Sequence, residues 1–164
     1  MKHCFLLFIG FLFLSCHPPN NKQFSTKALK APLKTLDGQQ QTLENVLNQY
    51  QGKTILIDVW ASWCGDCIKG LPLLKELQQK HPELSYLFIS LDKNPSAWKQ
   101  GIKRYRIKGT HYYAEGGWKS IFAQNVDLDW IPRYILINNK GDVVLYRAIH
   151  ADDKKLLEFI NTSI

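Results

Sequence analysis

Two cysteines, Cys64 and Cys67, stand two residues apart in the stretch Asp58-Val-Trp-Ala-Ser-Trp-Cys-Gly-Asp-Cys67. That spacing lets the pair close a small disulfide. Residues 54–59, just ahead, are short, apolar and rich in β-branched side chains, the composition of a buried central strand. Beyond the pair, Leu71, Leu74 and Leu77 recur at helical spacing. Cys64 therefore falls at a helix N-terminus, where unpaired N–H groups and the helix dipole favour a thiolate over a thiol. A thiolate there, with a second thiol one turn away, can attack a partner's disulfide and then resolve the mixed disulfide. The spacing points to thiol–disulfide exchange.

Positioning such a pair takes a sheet and helices, and the chain alternates between the two patterns. Residues 29–36 and 39–43 read as a hairpin around Asp37-Gly38. Residues 43–50 form a short helix capped by Thr42. The helix after Cys67 carries Pro72 inside its apolar pattern and ends near His81, a cap rather than a ligand. Residues 84–91 are a second buried strand, parallel to the first through a right-handed helical crossover. Asn94-Pro95 supplies the cap and first position of a helix with Trp98, Ile102 and Tyr105 on one face and Lys99, Lys103 and Arg106 on another. Residues 110–114 are a short strand, and 118–124 a helix after Gly116-Gly117. Residues 134–138 and 143–149 pair as a hairpin around Asn138-Asn139-Lys140-Gly141. A terminal helix opens at Asp152-Asp153, with Leu156, Leu157 and Ile160 inward. The class is α/β, a central mixed β-sheet flanked by helices on both faces.

With 164 residues, the chain is long enough for one domain with a real core. Lys2, the apolar run 5–14 and Ser15-Cys16 form a secretory signal, too short for a membrane span, which needs about 20 residues. Ser15 directly before Cys16 resembles a bacterial lipoprotein signal, with Phe13 departing from the usual leucine. It implies that residues 1–15 are removed and Cys16 is lipidated. An uncleaved anchor, or an ordinary signal peptide with Cys16 free, are the alternatives. Residues 16–27 are polar and proline-bearing and are expected to be a flexible tether, with the domain over 28–164. Of four cysteines, Cys4 leaves with the signal and Cys16 takes lipid, so Cys64 and Cys67 alone remain. A pair spanning so tiny a loop constrains the unfolded chain little, and in an exported protein it reads as chemistry rather than a staple. The net charge of +7 suits acidic partners or anionic headgroups. No nucleic-acid motif is present, and no nucleic-acid partner is expected.

Three features together carry a family resemblance: the stretch 55–67 through the cysteines, Pro72 five residues after Cys67, and Trp130-Ile-Pro132 ahead of the strand at 134–138. The chain resembles thioredoxin-fold proteins from about residue 28 onward, and among them the exported TlpA/ResA-like reductases. Their extra helix–strand unit before the proline loop is matched by residues 94–114. The resemblance implies that Cys64 is the exposed nucleophile and Cys67 the buried resolving thiol. It also implies that Ile131-Pro132 is a cis peptide lying against the cysteines, its backbone pairing with the partner chain. Trp60 and Trp63 are expected beside the pair, with Trp63, Gly65, Asp66, Ile131 and Pro132 forming the substrate-binding surface. Asp58 matches the family's buried acid; burial should raise its pKa and suit it to accept the Cys67 proton. Asp92 is a second, looser candidate for such an acid. Asp66 stands where thioredoxins carry proline, and its charge should disfavour the Cys64 thiolate. Arg133 follows the proline where a small hydroxyl residue is commoner, and could offset Asp66 or guide an acidic partner.

The function expected from these residues is a lipid-anchored thiol–disulfide oxidoreductase of the cell envelope, facing the periplasm and reducing protein disulfides. A place in cytochrome c maturation goes with the resemblance. No cofactor is expected, since the chain has no flavin or dinucleotide fingerprint; electrons would come from a membrane thiol donor. Two rivals remain. A thiol peroxidase would want a Thr-x-x-Cys context, which Ala61-Ser-Trp-Cys64 matches poorly. A copper-binding assembly factor could hold Cu(I) on two thiolates but would add a histidine. His111 and His150 lack metal-ligand spacing, and no metal site is expected.

Overall fold

The computed structural model describes residues 23–163. The expected signal segment and Cys16 lie outside the described residues. Within them the elements run α1 (Thr26–Leu29), β1 (Pro32–Lys34), β2 (Gln40–Thr42), α2 (Leu43–Asn48), β3 (Ile55–Trp60), α3 (Gly65–Lys80), β4 (Ser85–Ser90), α4 (Pro95–Tyr105), β5 (Thr110–Tyr113), a 3-10 turn (Gly117–Lys119), α5 (Ile121–Asn125), β6 (Arg133–Ile137), β7 (Val143–Ala148) and α6 (Lys154–Ser163).

Seven strands form one mixed sheet in the order β2-β1-β5-β4-β3-β6-β7. β3 and β4 pair in parallel, as do β4 and β5, through the helical crossovers α3 and α4. β6 runs antiparallel to β3, and β7 antiparallel to β6. Every residue of β3 is buried, because helices cover both of its faces and both of its edges are paired; such a strand reads as a continuous apolar run. The helix–strand unit expected before the proline loop is α4 and β5. Asn94 caps α4 through the Ala97 N–H, and Trp98 stacks on Tyr113 of β5 with ring centroids 5.5 Å apart.

Beyond shifts of a residue or two at element ends, three features differ from the sequence reading. Phe24 is buried against Tyr146 and Ser25 caps α1, so the packed fold takes in part of the expected tether. Leu29 sits in α1 rather than in the first hairpin, whose turn closes over residues 35–39 with Gly38 at φ 89°. The helix expected over 118–124 is split at Ser120, whose hydroxyl accepts the Ala123 N–H and caps α5.

The strands give the molecule two poles. The C-terminal ends of β3 and β4 lead to the cysteines. At the other pole, where β3 begins, Gln23 Nε2 donates to Asp142 Oδ1 in the β6–β7 turn at 3.1 Å.

Candidate active site

β3 delivers the chain to a loop held from below. Leu91 N–H donates to the Trp60 carbonyl at 2.8 Å, tying the end of β4 to the end of β3. Asp92 accepts the Ser62 backbone N–H at 3.1 Å, the Ser62 hydroxyl at 2.6 Å and the Ser90 hydroxyl at 2.8 Å. Its carboxylate fixes the loop two residues before Cys64. α4 closes on the same loop from the side: a Cβ on Gly101 would stand 2.6 Å from Ser62 Cβ and 3.2 Å from Trp60 Cη2. Trp60 is therefore buried toward α4, and only Trp63 of the two expected tryptophans reaches the surface beside the pair.

Cys64 caps α3: its sulfur accepts the Cys67 N–H at 3.1 Å. The two sulfurs are bonded, with the Cα atoms 5.3 Å apart. Ile131-Pro132 is cis, and the Ile131 carbonyl oxygen lies 3.6 Å from the Cys64 sulfur. The loop before β6 thus covers the pair. Cys64 is only 6 % exposed and Cys67 4 %, so the open nucleophile expected from the sequence is shielded in the disulfide form. What separates the two is direction. Both cysteines belong to the buried core, but Cys64 also lines a surface groove that Cys67 does not.

That groove holds about 270 Å³ and is lined by Trp63, Cys64, Gly65, Asp66, Trp118, Trp130 and Ile131. Larger hollows of about 470 and 580 Å³ lie elsewhere, but no cysteine lines them. The sequence reading placed Trp63, Gly65, Asp66 and Ile131 here and missed Trp118 and Trp130. The available signal was the position of both tryptophans in glycine- and proline-marked loops, where a large ring has little core to enter.

Beneath the site, Asp58 on β3 is buried, and its Oδ1 has no hydrogen-bond partner among the described residues. Burial pushes its pKa up to about 8. Its neighbour across the β3–β6 ladder, Tyr134, is held far above the ordinary phenol range by burial and then by Asp58. The Tyr134 hydroxyl approaches Gly70 of α3, so the same buried layer touches the helix that carries Cys67.

Residues 52–143 match the thioredoxin-like family, more than half of the 164-residue chain. The chain belongs to the thioredoxin-like family. A thiol-disulfide oxidoreductase ResA from Bacillus cereus (strain ZK / E33L) is 31% identical over 114 residues, covering 68% of this chain and 64% of that relative. ResA from Bacillus thuringiensis subsp. konkukian is 28% identical over 100 residues, 60% and 56% of the two chains. The matches therefore span a little over half the length of these curated relatives. A solution structure from Bacteroides vulgatus, of a protein proposed to be a thiol-disulfide oxidoreductase, superposes with a TM-score of 0.66. It is 30% identical and covers 82% of this chain and 86% of that one.

Of the two departures from the thioredoxin-like pattern, Arg133 is placed differently from expectation. Arg133 does not meet Asp66. Its guanidinium is buried, bonded to Asp129 and directed at the Asp127 carbonyl at 3.4 Å, and Arg147 bridges the same two aspartates. A cation on an all-buried strand needs such partners, and the loop between Asp127 and Asp129 supplies them. Asp66 instead faces solvent at the groove, with Lys69 one turn along α3 at 3.7 Å. His111 is a core residue, stacked on Phe88 with Nε2 on the Ile107 carbonyl, and burial lowers its pKa.

Proposed function

We propose that this thioredoxin-like chain is a thiol–disulfide oxidoreductase that reduces protein disulfides through Cys64 and Cys67. The observation that carries the reading is the unequal setting of a bonded pair: Cys64 caps a helix and lines a surface groove, and Cys67 does not line it. In the reduced protein the Cys64 thiolate, stabilised by the α3 N-terminus, attacks one sulfur of a partner disulfide. The Cys64–partner bond forms as the partner's second sulfur leaves as a thiolate. Cys67 loses its proton and attacks the Cys64 sulfur; the Cys64–Cys67 bond forms and the partner leaves as a dithiol. Two electrons pass to the partner. Asp58, when ionised, is the acceptor for the Cys67 proton.

The net direction is reduction. Asp66 opposes the Cys64 thiolate, and a destabilised thiolate makes the dithiol the better reductant. No cofactor takes part; a membrane thiol donor restores the dithiol. The chain is exported to the cell envelope and faces the periplasm, held by lipid on Cys16. The seven residues from Cys16 to Gln23 reach at most about 25 Å, which keeps the domain close to its membrane. Disulfides of cytochrome c precursors are among the partners that suit such a reductant.

Insulin disulfide reduction by the dithiothreitol-charged protein tests the activity, and its loss in Cys64→Ala is the expected control. A glutathione redox equilibrium tests the direction; a potential more oxidising than the glutathione couple would reverse it. Cys16→Ser should move the protein from the membrane fraction to the soluble one with reduction intact. Retention of that variant in the membrane at high salt would overturn the anchor.

A further inference from the structure

Three exposed indoles converge beside one sulfur. Trp63, Trp118 and Trp130 are 51 %, 40 % and 56 % exposed, and together with Ile131 they wall the groove in which Cys64 sits. None of the three stacks on another ring among the described residues, and each keeps 40 % or more of its surface exposed. Among the described residues, Asp66 is the only charged side chain that lines the groove. An aromatic wall with one carboxylate is the chemistry that holds a cation, through the negative ring faces and a counter-ion.

We infer that this groove recognises a basic side chain, so that the preferred substrates are proteins with an arginine or lysine next to the disulfide cysteine that Cys64 attacks. The inference rests on the exchange reading above and adds a substrate class to it. The electron and proton transfers are those already given; the cation contributes position.

Three competing effects can be weighed. The N-terminus of α3 carries roughly half a positive charge, against the full negative charge of Asp66. Lys69 is 3.7 Å from Asp66 but does not line the groove, and an exposed pair of this kind is worth little, so a stronger partner can displace it. A purely apolar partner residue would gain the indole contacts but leave Asp66 without a stronger counter-ion. Size agrees with one side chain: about 270 Å³ lies below the range of roughly 300–1,000 Å³ of small-molecule pockets.

The test uses the reduced protein and three disulfide-linked peptide dimers, identical except for arginine, citrulline or leucine beside the cysteine. Citrulline keeps the shape of arginine without its charge. Thiol release is followed by chromatography, with hydroxyethyl disulfide as an uncharged small substrate. The arginine peptide should react roughly fivefold faster than the citrulline peptide. That ratio should fall toward one in Asp66→Asn, Trp118→Leu and Trp130→Leu, each variant read against its own citrulline rate. Equal rates for arginine and citrulline, or a faster leucine peptide, would overturn the cation site and leave exchange standing. No reaction with any substrate, hydroxyethyl disulfide included, would overturn both.

Discussion

Asp92 accepts both the backbone N–H and the hydroxyl of Ser62, at 3.1 and 2.6 Å. The end of β4 thereby sets the loop from which Cys64 projects, and a residue 28 positions downstream becomes part of the cysteine geometry. Asp92→Asn replaces one acceptor oxygen by a donor facing hydroxyl and amide donors. Stability should fall by about 1–3 kcal/mol, the usual cost of a buried group left unsatisfied. Urea unfolding of the two proteins measures it; coincident curves would show that the clamp contributes nothing.

Asp58 gives the fold a pH dependence of definite sign. Burial raises its pKa from 3.8 to about 8. Between those values the folded protein retains a proton that the unfolded chain releases. The stabilisation is complete below the lower value and is lost as pH rises through the higher one. Urea midpoints should therefore fall from pH 5 to pH 8.5, and the fall should be smaller in Asp58→Asn. Comparing the two proteins at each pH removes the contribution of His111, whose lowered pKa acts in the opposite sense. A variant that tracks the parent across the range would place the titration elsewhere.

Removing one sulfur at a time separates the roles of the pair. Cys67→Ala should accumulate mixed disulfides with partner proteins, because Cys64 can still attack but nothing resolves the product. Cys64→Ala should accumulate none. Non-reducing gels of cells expressing each variant read the difference, and equal trapping would mean that both sulfurs reach partners.

At Gly101 two effects compete. In an open helix, alanine would gain about 1 kcal/mol over glycine. Here the new Cβ would stand 2.6 Å from Ser62 Cβ, whose side chain Asp92 already holds in place. Overpacking typically costs 1–3 kcal/mol, so Gly101→Ala should be destabilised on balance. A lower melting temperature is the expected result; a higher one would mean that the loop yields.

Much of this architecture is legible in the sequence because it is locally encoded. The β-branched run into β3, Asn94 and Pro95 at the start of α4, and Asn138 to Gly141 in the last turn each follow from a few adjacent residues. The cysteine pair at a helix start belongs to the same class. The missed features depend on contacts distant along the chain. Arg133 looks like a free cation beside the active loop until Asp129 is seen to cover it. Trp118 and Trp130 come to the same groove as Trp63 only once the fold has brought distant loops to one pole. The shielding of Cys64 comes from Ile131, 67 residues away.

The contact between Gln23 and Asp142 has a mechanical consequence. The chain upstream leaves from the pole where β3 begins, about 20 Å along the strands from the cysteine groove. Tension or confinement applied through that segment acts on the far end of the molecule and leaves the groove as the leading face. A hold placed on the chain upstream of Gln23 would therefore leave the Cys64 groove at the opposite end of the molecule. The length of chain between such a hold and Gln23 would set how far from it a disulfide could be met.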